Sequence, residues 1–315
     1  MKRVCMVGLG LMGRRMAKAM AAHGAFRAMW CLDQDADAVR VFGEETGAET
    51  VRDLETLLRS GEVDLVYVAT PPATHIEYAR KGMAAGVPVW LEKPLATDLA
   101  ESETFAAEVR ASGVLACMHF PFAGMGLLRD IAEAMADGSL GRPLRVDLQL
   151  QFSQWPRTWH HAGPWLAGPA EGGFCREVLS HFLFLTQRVL GPLTLEEGHV
   201  RRGAAGTEEH VTARWSAGGT PVLLHGGVAG GAPDFNRWTL YGERRSMRLE
   251  DWGQVSHADA NGWQARETGV AGGGSSIGGS LDELMRALAG ESHHLATIEE
   301  GLGVQRAVEE LLARH

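Results

Sequence analysis

The sequence has no excess of positive charge. Its 315 residues include 30 Lys and Arg against 39 Asp and Glu, which gives a formal net charge of −9. A chain of this charge offers no broad basic face to nucleic acid or to anionic lipid, although an anionic small molecule can still bind at a local positive site. We therefore expect a small-molecule ligand, and neither a nucleic-acid nor a membrane partner.

Long apolar runs and paired cysteines are also lacking. No stretch approaches the roughly 20 apolar residues of a membrane-spanning helix, and the N-terminus enters its first apolar run too soon to hold a signal peptide. The four cysteines form no C-x-x-C pair and no metal-ligand spacing. These absences predict buried, reduced thiols, a cytoplasmic location and no bound metal.

The first part of the chain, residues 1–120, alternates short apolar runs with amphipathic segments. Strands and helices that alternate at this length are typical of parallel βαβ units. The sequence therefore predicts an α/β fold that begins with a Rossmann domain, a doubly wound parallel sheet. The runs are Val4–Val7, Phe26–Leu32, Leu65–Ala69, Val87–Leu91 and Val114–Met118.

The second part, residues 121–315, has several strand-like segments with few helices between them. This pattern predicts an α+β domain with a mainly antiparallel open sheet. We expect the Gly/Ser-rich stretch 272–280 to be flexible and the terminal helix to be able to pack back on the first domain. Capping boxes at Thr74/Glu77 and Thr297/Glu300 predict two helix starts.

A glycine motif, Gly8-x-Gly10-x-x-Gly13, joins the first strand to the first helix. The first glycine allows a tight turn, the second lets the backbone approach a pyrophosphate, and the third allows close helix packing. Asp33 follows the second apolar run, where a carboxylate can accept ribose hydroxyls and repel a 2′-phosphate. The pattern favours NAD, leaves NADP possible, and includes Leu11 and Met12 in the cofactor site. The alternative is a glycine-rich turn without a ligand.

Glu92, Lys93 and Pro94 follow the fourth apolar run. A lysine at the carboxyl end of a central strand can point into the ligand cleft of such a sheet, where its ammonium can hold a substrate oxygen and stabilise alkoxide charge. The alternative is a solvated lysine before a turn.

A predicted helix, Gly172–Leu190, carries Glu177 and His181 four residues apart, so both share one face. Histidine titrates near neutrality, and a neighbouring carboxylate can orient it for proton transfer. The alternative is a structural histidine.

Taken together, these motifs resemble the Gfo/Idh/MocA family, named after glucose-fructose oxidoreductase, inositol dehydrogenase and a rhizopine catabolism protein. The similarity extends over nearly the whole chain. The matching segments are Gly8–Gly13, Asp33, residues 64–75 (DLVYVATPPATH), residues 86–94 (GVPVWLEKP), Gly172-Gly173 with Glu177 and His181, and residues 296–301.

The resemblance implies an NAD(P)-dependent oxidoreductase that acts on a secondary alcohol or carbonyl of a sugar-like or cyclic molecule. It further implies that Lys93 polarises the substrate oxygen, that His181 takes or gives the hydroxyl proton and that Glu177 orients this transfer. It also implies a homodimer or homotetramer assembled through the C-terminal sheet. The implied cofactor contacts include Thr70, Pro71, His75, Glu92 and Lys93.

Departures from the family pattern predict an unusually apolar pocket. Phe184 stands where aspartate is frequent, Leu166 stands where arginine often follows the tryptophan, and residues 118–122 read MHFPF where asparagine or arginine is common. An imine therefore remains an alternative substrate. Two other classes also remain open: a glycosidase that uses NAD for a transient oxidation, and a nucleotide-binding regulator without catalysis. The predicted substrate contacts are Phe120, Trp159, Trp165 and Phe184.

Overall fold

The computed structural model describes residues 1–158, 164–266 and 277–314. Within these ranges the strands are β1 (Lys2–Val7), β2 (Phe26–Leu32), β3 (Glu49–Thr50), β4 (Leu65–Val68), β5 (Val89–Glu92), β6 (Ala116–His119), β7 (Pro143–Phe152), β8 (Leu193–Arg202), β9 (Glu208–Ala217), β10 (Thr220–Val228), β11 (Phe235–Gly242), β12 (Ser246–Glu250), β13 (Gln254–Asp259), β14 (Gly262–Ala265) and β15 (Ala296–Thr297). The α-helices are α1 (Leu11–His23), α2 (Ala36–Thr46), α3 (Leu54–Arg59), α4 (His75–Ala84), α5 (Leu99–Ser112), α6 (Gly126–Ala136), α7 (Ser180–Leu190), α8 (Ile277–Leu288) and α9 (Ile298–Leu312).

The chain divides into two compact units. The first consists of residues 1–124 and 277–302, and the second of the described residues within 125–266 and 303–314. This division differs from two consecutive domains of residues 1–120 and 121–315, because α8, β15 and the first turn of α9 group with the N-terminal segment. None of the described helices is long and apolar enough to cross a membrane.

The first unit contains a sheet with the described strand order β15-β6-β5-β4-β1-β2-β3. Strands β1 to β6 run parallel in the doubly wound order 3-2-1-4-5-6. Only β15, which pairs antiparallel with β6, departs from this direction among the described strands. The predicted Rossmann sheet is confirmed, and the carboxyl ends of its parallel strands define the edge at which ligands bind in such folds.

The core of the first unit depends on a segment from far along the sequence. Helix α8 contributes Leu281 and Leu284 to the same buried cluster as Tyr67 and Trp90 of the sheet. The expectation that residues 272–280 are flexible is therefore wrong for 277–280, which form the first turn of α8. The remainder of that stretch lies outside the described residues. Backbone packing explains the glycine at 279, because a Cβ there would lie 2.4 Å from the carbonyl oxygen of Gly124.

The two predicted capping boxes behave differently. At the start of α9, Glu300 N–H donates to Thr297 Oγ1 (3.1 Å) and Thr297 N–H donates to Glu300 Oε2 (2.9 Å), so this box is confirmed. At the start of α4, the Thr74 hydroxyl instead lies 2.8 Å from Thr70 Oγ1 and 3.1 Å from Pro71 O, and its one proton serves these two oxygens. Thr74 is the N-cap residue of α4, so the predicted helix start is confirmed, but its side chain does not cap the helix because the preceding turn already occupies it.

The second unit contains an open sheet with the described strand order β14-β13-β12-β11-β7-β10-β9-β8. Strands β7 and β10 are parallel, and the other paired strands of this described sheet are antiparallel. The predicted mainly antiparallel sheet is confirmed, although the sequence pattern did not indicate β13 or β14. The helix predicted over Gly172–Leu190 is wrong in its first part, because Cys175–Leu179 form a π-helical turn that runs into α7.

Candidate active site

The glycine motif of the first unit forms the β1–α1 turn. Gly8 adopts a φ of 88°, and a Cβ at this position would lie 2.5 Å from the backbone of Ala69 and Thr70. A Cβ at Gly13 would lie 2.0 Å from the Gly8 carbonyl oxygen, whereas one at Gly10 would meet nothing within 4 Å. Packing within the protein therefore requires Gly8 and Gly13, while Gly10 borders open space.

That open space faces the start of α1. Gly10 is the N-cap residue of α1, and a glycine has no side chain with which to cap the helix. Unsatisfied N–H groups at a helix start bind phosphate oxygens well, because they donate hydrogen bonds and carry the positive end of the helix dipole. Leu11 is 42% exposed and Met12 is half-buried. This turn fits a dinucleotide pyrophosphate.

Asp33 follows β2 and is fixed to the same turn. Its Oδ2 accepts a hydrogen bond from Leu9 N–H (2.7 Å), and its Oδ1 accepts one from Asp35 N–H (3.0 Å). Each carboxylate oxygen retains capacity for a further donor such as a ribose hydroxyl. The pKa of Tyr78 is raised, chiefly by burial and further by the charges of Glu77 and Asp33. The Tyr78 phenol is therefore close enough to Asp33 to be affected by its charge.

His75 connects the loop after β4 to the loop after β5. Its ring is 1% exposed, with Nδ1 2.8 Å from Pro94 O and Nε2 2.7 Å from Thr70 O. Burial, the largest influence, lowers the pKa of His75, while the two carbonyls and Glu92 oppose that shift. Because its ring nitrogens contact the backbone carbonyls of Pro94 and Thr70, His75 holds the two loops together. Thr70 is half-buried and Pro71 is exposed.

Glu92 ends β5 and is buried at 6% exposure. Its Oε1 accepts hydrogen bonds from Tyr67 Oη (2.5 Å) and His119 Nδ1 (2.8 Å). Burial is the largest single influence and would raise the pKa of Glu92, but His119, Tyr67 and Lys93 together bring it below its usual value. Lys93 is half-buried at the carboxyl edge of the sheet, and its peptide bond to Pro94 is cis.

The sequence pattern did not indicate Tyr67 or His119 as partners of Glu92. His119 is the last residue of β6 and pairs in register with Glu92, the last residue of β5. Within the described residues, the buried His119 Nε2 has no hydrogen-bond partner. A signal was present for two of the three residues, because the predicted runs Val87–Leu91 and Val114–Met118 end directly before Glu92 and His119.

In the second unit, Glu177 lies in the π-helical turn and His181 in the first turn of α7. The segment that carries the pair is therefore not a regular α-helix, because its first turn is π-helical. The His181 ring is 8% exposed and meets the Trp252 ring edge-on at a centroid distance of 5.6 Å.

The predicted substrate residues have different environments. Phe184 is fully buried beneath the Arg188 guanidinium, and Phe120 in the first unit is 2% exposed, so both rings contribute to the core. Trp165 is half-buried in a short 3₁₀ helix, Pro164–Ala167. Trp159 lies outside the described residues.

Arg157 and Trp252 are further candidates that the sequence pattern did not single out. The Arg157 guanidinium lies 4.8 Å from the Phe152 ring centroid and 5.6 Å from that of Trp252. Burial lowers the pKa of Arg157, and the charges of Asp234 and Glu177 oppose this. The surroundings of His181 therefore contain a cation as well as aromatic rings. Within the described ranges, no group of three or more His, Cys, Asp or Glu side chains is placed to hold a metal ion.

Residues 2–120 match the Gfo/Idh/MocA family model, described as an oxidoreductase family with an NAD-binding Rossmann fold. The match covers the Rossmann part of the chain, and it shows the family likeness for that part. One relative in sequence is dTDP-3,4-didehydro-2,6-dideoxy-alpha-D-glucose 3-reductase from Actinomadura kijaniata, 34% identical over 105 residues, which are 33% of this chain and 32% of that protein. The chain spans about a third of the length of the curated relatives that it matches at 34–35% identity.

Solved structures are similar in fold over almost the full length of this chain. An oxidoreductase from Agrobacterium radiobacter, in complex with NAD⁺, L-tartaric acid and magnesium, has a TM-score of 0.83 at 16% identity and covers 99% of this chain and 96% of its own. A 3-ketoreductase from Actinomadura kijaniata, in complex with NADP and TDP-benzene, has a TM-score of 0.80 at 20% identity and covers 98% and 96%. At these identities the likeness establishes the fold.

Proposed function

We propose that this protein is an NAD(P)-dependent oxidoreductase, with NAD(H) preferred, that interconverts a secondary alcohol and the matching carbonyl of a sugar-like or cyclic small molecule. The observation that carries the proposal is Lys93 at the carboxyl edge of a Rossmann sheet, beside a buried and hydrogen-bonded Glu92. In a family described by its NAD-binding fold, a lysine at this edge is suited to a substrate oxygen.

The residues of the β1–α1 turn support a dinucleotide as cofactor. Gly10 leaves room for close backbone approach, and the start of α1 offers N–H groups to the pyrophosphate. Asp33 would accept ribose hydroxyls and disfavour the 2′-phosphate of NADP. When bound, the nicotinamide supplies the group that accepts or donates hydride.

Three side chains of the protein itself would serve the substrate. The Lys93 ammonium would donate to the substrate oxygen and stabilise charge that develops there. His181 would take the hydroxyl proton during oxidation and return it during reduction, with Glu177 orienting the imidazole. Trp252 beside His181 offers a surface for a sugar or cyclic ring, and Arg157 offers donors for its oxygens.

The test is nicotinamide absorbance during incubation with sugars, cyclitols and their keto forms, using each cofactor. We expect wild-type turnover that falls about 10²–10⁴-fold in His181→Ala, the range for loss of a general acid–base. Tyr241→Phe, which removes a hydroxyl from a strand of the second sheet, serves as a control and retains activity. Equal turnover by wild type and His181→Ala would contradict the role of His181.

Other outcomes separate the alternatives. Turnover of amine-derived substrates only would indicate an imine reductase. No net redox change, with release of a glycoside leaving group and retained NAD, would indicate a glycosidase. Nucleotide binding without turnover of any substrate would indicate a regulator. Assembly through the second sheet remains part of the proposal, and sedimentation of the purified protein measures it.

A further inference from the structure

Three polar side chains from neighbouring strands meet at a single carboxylate oxygen. Tyr67 on β4 donates its hydroxyl to Glu92 Oε1 on β5 at 2.5 Å, and His119 on β6 donates Nδ1–H to the same oxygen at 2.8 Å. The nitrogen must be the donor because a carboxylate oxygen only accepts. Residue 92 pairs with 119, and 67 pairs with 90, so sheet register directs all three side chains to one face.

The two donor side chains, Tyr67 and His119, both pack against Trp90. The Trp90 ring meets the Tyr67 ring edge-on at 5.4 Å and the His119 ring at 4.9 Å, and all of these side chains are buried. A buried carboxylate is costly unless it is paired and hydrogen-bonded. This cluster supplies both compensations, and it keeps the pKa of Glu92 below its usual value despite burial.

Lys93 lies in the chain between two residues that hydrogen bonds fix, Glu92 and Pro94. The residue before it is Glu92, and the charge of the Lys93 ammonium contributes to lowering the pKa of the Glu92 carboxyl. The residue after it is Pro94, whose carbonyl oxygen lies 2.8 Å from His75 Nδ1. The charged or titratable groups that act on Glu92 are therefore His119, Tyr67 and Lys93, and Glu92 in turn acts on His75.

We propose that Tyr67 and His119 are positioning residues for Lys93: by fixing the Glu92 carboxylate they hold the lysine ammonium where it meets the substrate oxygen. This inference rests on the function proposed above. A buried charged cluster is weak support for stability, because apolar replacements are often neutral or stabilising. Removal of one partner alone leaves the buried carboxylate less well paired and costs stability, so we expect an effect on Lys93 in addition to one on the fold.

The chain offers a direct readout that needs no substrate. It contains four lysines, Lys2, Lys18, Lys81 and Lys93. Selective ¹⁵N-lysine labelling of the full protein gives ammonium signals by NMR, and Lys93→Arg assigns the one from Lys93. An ordered ammonium held by a carboxylate is expected in the wild type.

The variants Tyr67→Phe and His119→Leu should each shift or broaden the Lys93 signal. His119→Gln should restore it because an amide N–H can donate to Glu92. The Lys81 ammonium, which pairs with Glu77 at 2.8 Å, is the internal control and should not change. An unchanged Lys93 signal in both folded variants would overturn the proposal. If His119→Leu does not fold, Tyr67→Phe decides, since it removes one hydroxyl and keeps the ring.

Kinetics provide the second readout. We expect His119→Leu to lower kcat about tenfold or more, with the NAD dissociation constant within about threefold of wild type, the pattern of an interaction that acts in the chemical step. Without its partner Glu92 protonates at higher pH, so the acid limb of kcat/KM should move upward. His119→Gln should recover most of the activity.

The two proposals fail in different ways. If the wild type turns over no substrate, the proposed function fails and the Lys93 ammonium signal alone decides the inference. If the wild type is active but His119→Leu and Tyr67→Phe keep its kcat and pH profile, the inference fails and the function stands.

Discussion

Two neighbouring glycines of the β1–α1 turn should respond to alanine in opposite ways. In Gly13→Ala the new Cβ would lie 2.0 Å from the Gly8 carbonyl oxygen, so helix α1 must move away from the turn. Overpacking of this kind costs about 1–3 kcal/mol, and the clash with backbone puts the cost at the upper end. A gain of up to about 1 kcal/mol in helix propensity offsets part of it. We expect a net loss of about 2 kcal/mol.

Gly10→Ala places its Cβ in open space, so its effect on stability should be small. An alanine at the N-cap costs about 0.5 kcal/mol relative to glycine. The methyl group instead occupies the space through which a pyrophosphate would approach the backbone. We expect the NAD affinity of Gly10→Ala to fall about tenfold or more, which is about 1.4 kcal/mol or more of binding free energy.

Two measurements separate the two effects. One is thermal unfolding in the absence of cofactor, and the other is titration of each variant with NAD. At roughly 2–4 °C per kcal/mol for a domain of this size, Gly13→Ala should lower the unfolding midpoint by about 4–8 °C and Gly10→Ala by about 1–2 °C. Wild-type NAD affinity in Gly10→Ala would refute the placement of the pyrophosphate. Wild-type stability in Gly13→Ala would refute the packing argument.

Three further outcomes are expected. Asp33→Ser should raise the ratio of NADP to NAD efficiency about tenfold in steady-state assays, since it removes the charge that repels a 2′-phosphate; an unchanged ratio would argue against that role. Because pairing lowers the pKa of Glu92 in the fold, its contribution to stability is present above about pH 4.5 and is lost as the pH falls. Acid unfolding of Glu92→Gln should therefore be less steep than that of the wild type. All four cysteines are buried, and burial raises the pKa of Cys5 to about 12. They should react with Ellman's reagent at pH 8 only after denaturation, so rapid labelling of the native protein would contradict their burial.

The order of the elements in the first unit could be predicted because apolar runs and glycine turns are local signals. The ends of β5 and β6 could not, because Glu92 and His119 are polar and a search for apolar runs stops before them. Both polar residues are tolerated in the buried strands because they form a hydrogen bond with each other across the sheet. The partnership between Tyr67 and Glu92 depends on register, which no local pattern contains.

The candidate site of the second unit was less predictable for a related reason. Trp252 adopts a φ of 65° in the turn between β12 and β13, where its N–H donates to Asn236 Oδ1 at 3.0 Å. The residues around position 181 give no indication of this turn or of the contact between Trp252 and His181. The π-turn over Cys175–Leu179 likewise interrupts a stretch whose composition is that of an ordinary helix.

The use of α8 in the first unit has a consequence for synthesis on the ribosome. Residues 1–124 emerge long before 277–302, and at roughly 5–20 residues per second the intervening stretch takes about 8–30 s. During that interval the sheet face that carries Tyr67 and Trp90 lacks Leu281 and Leu284. The nascent N-terminal segment therefore exposes an apolar surface that chaperones recognise, and a chain cut before α8 should aggregate even though its strands and glycine turn are intact.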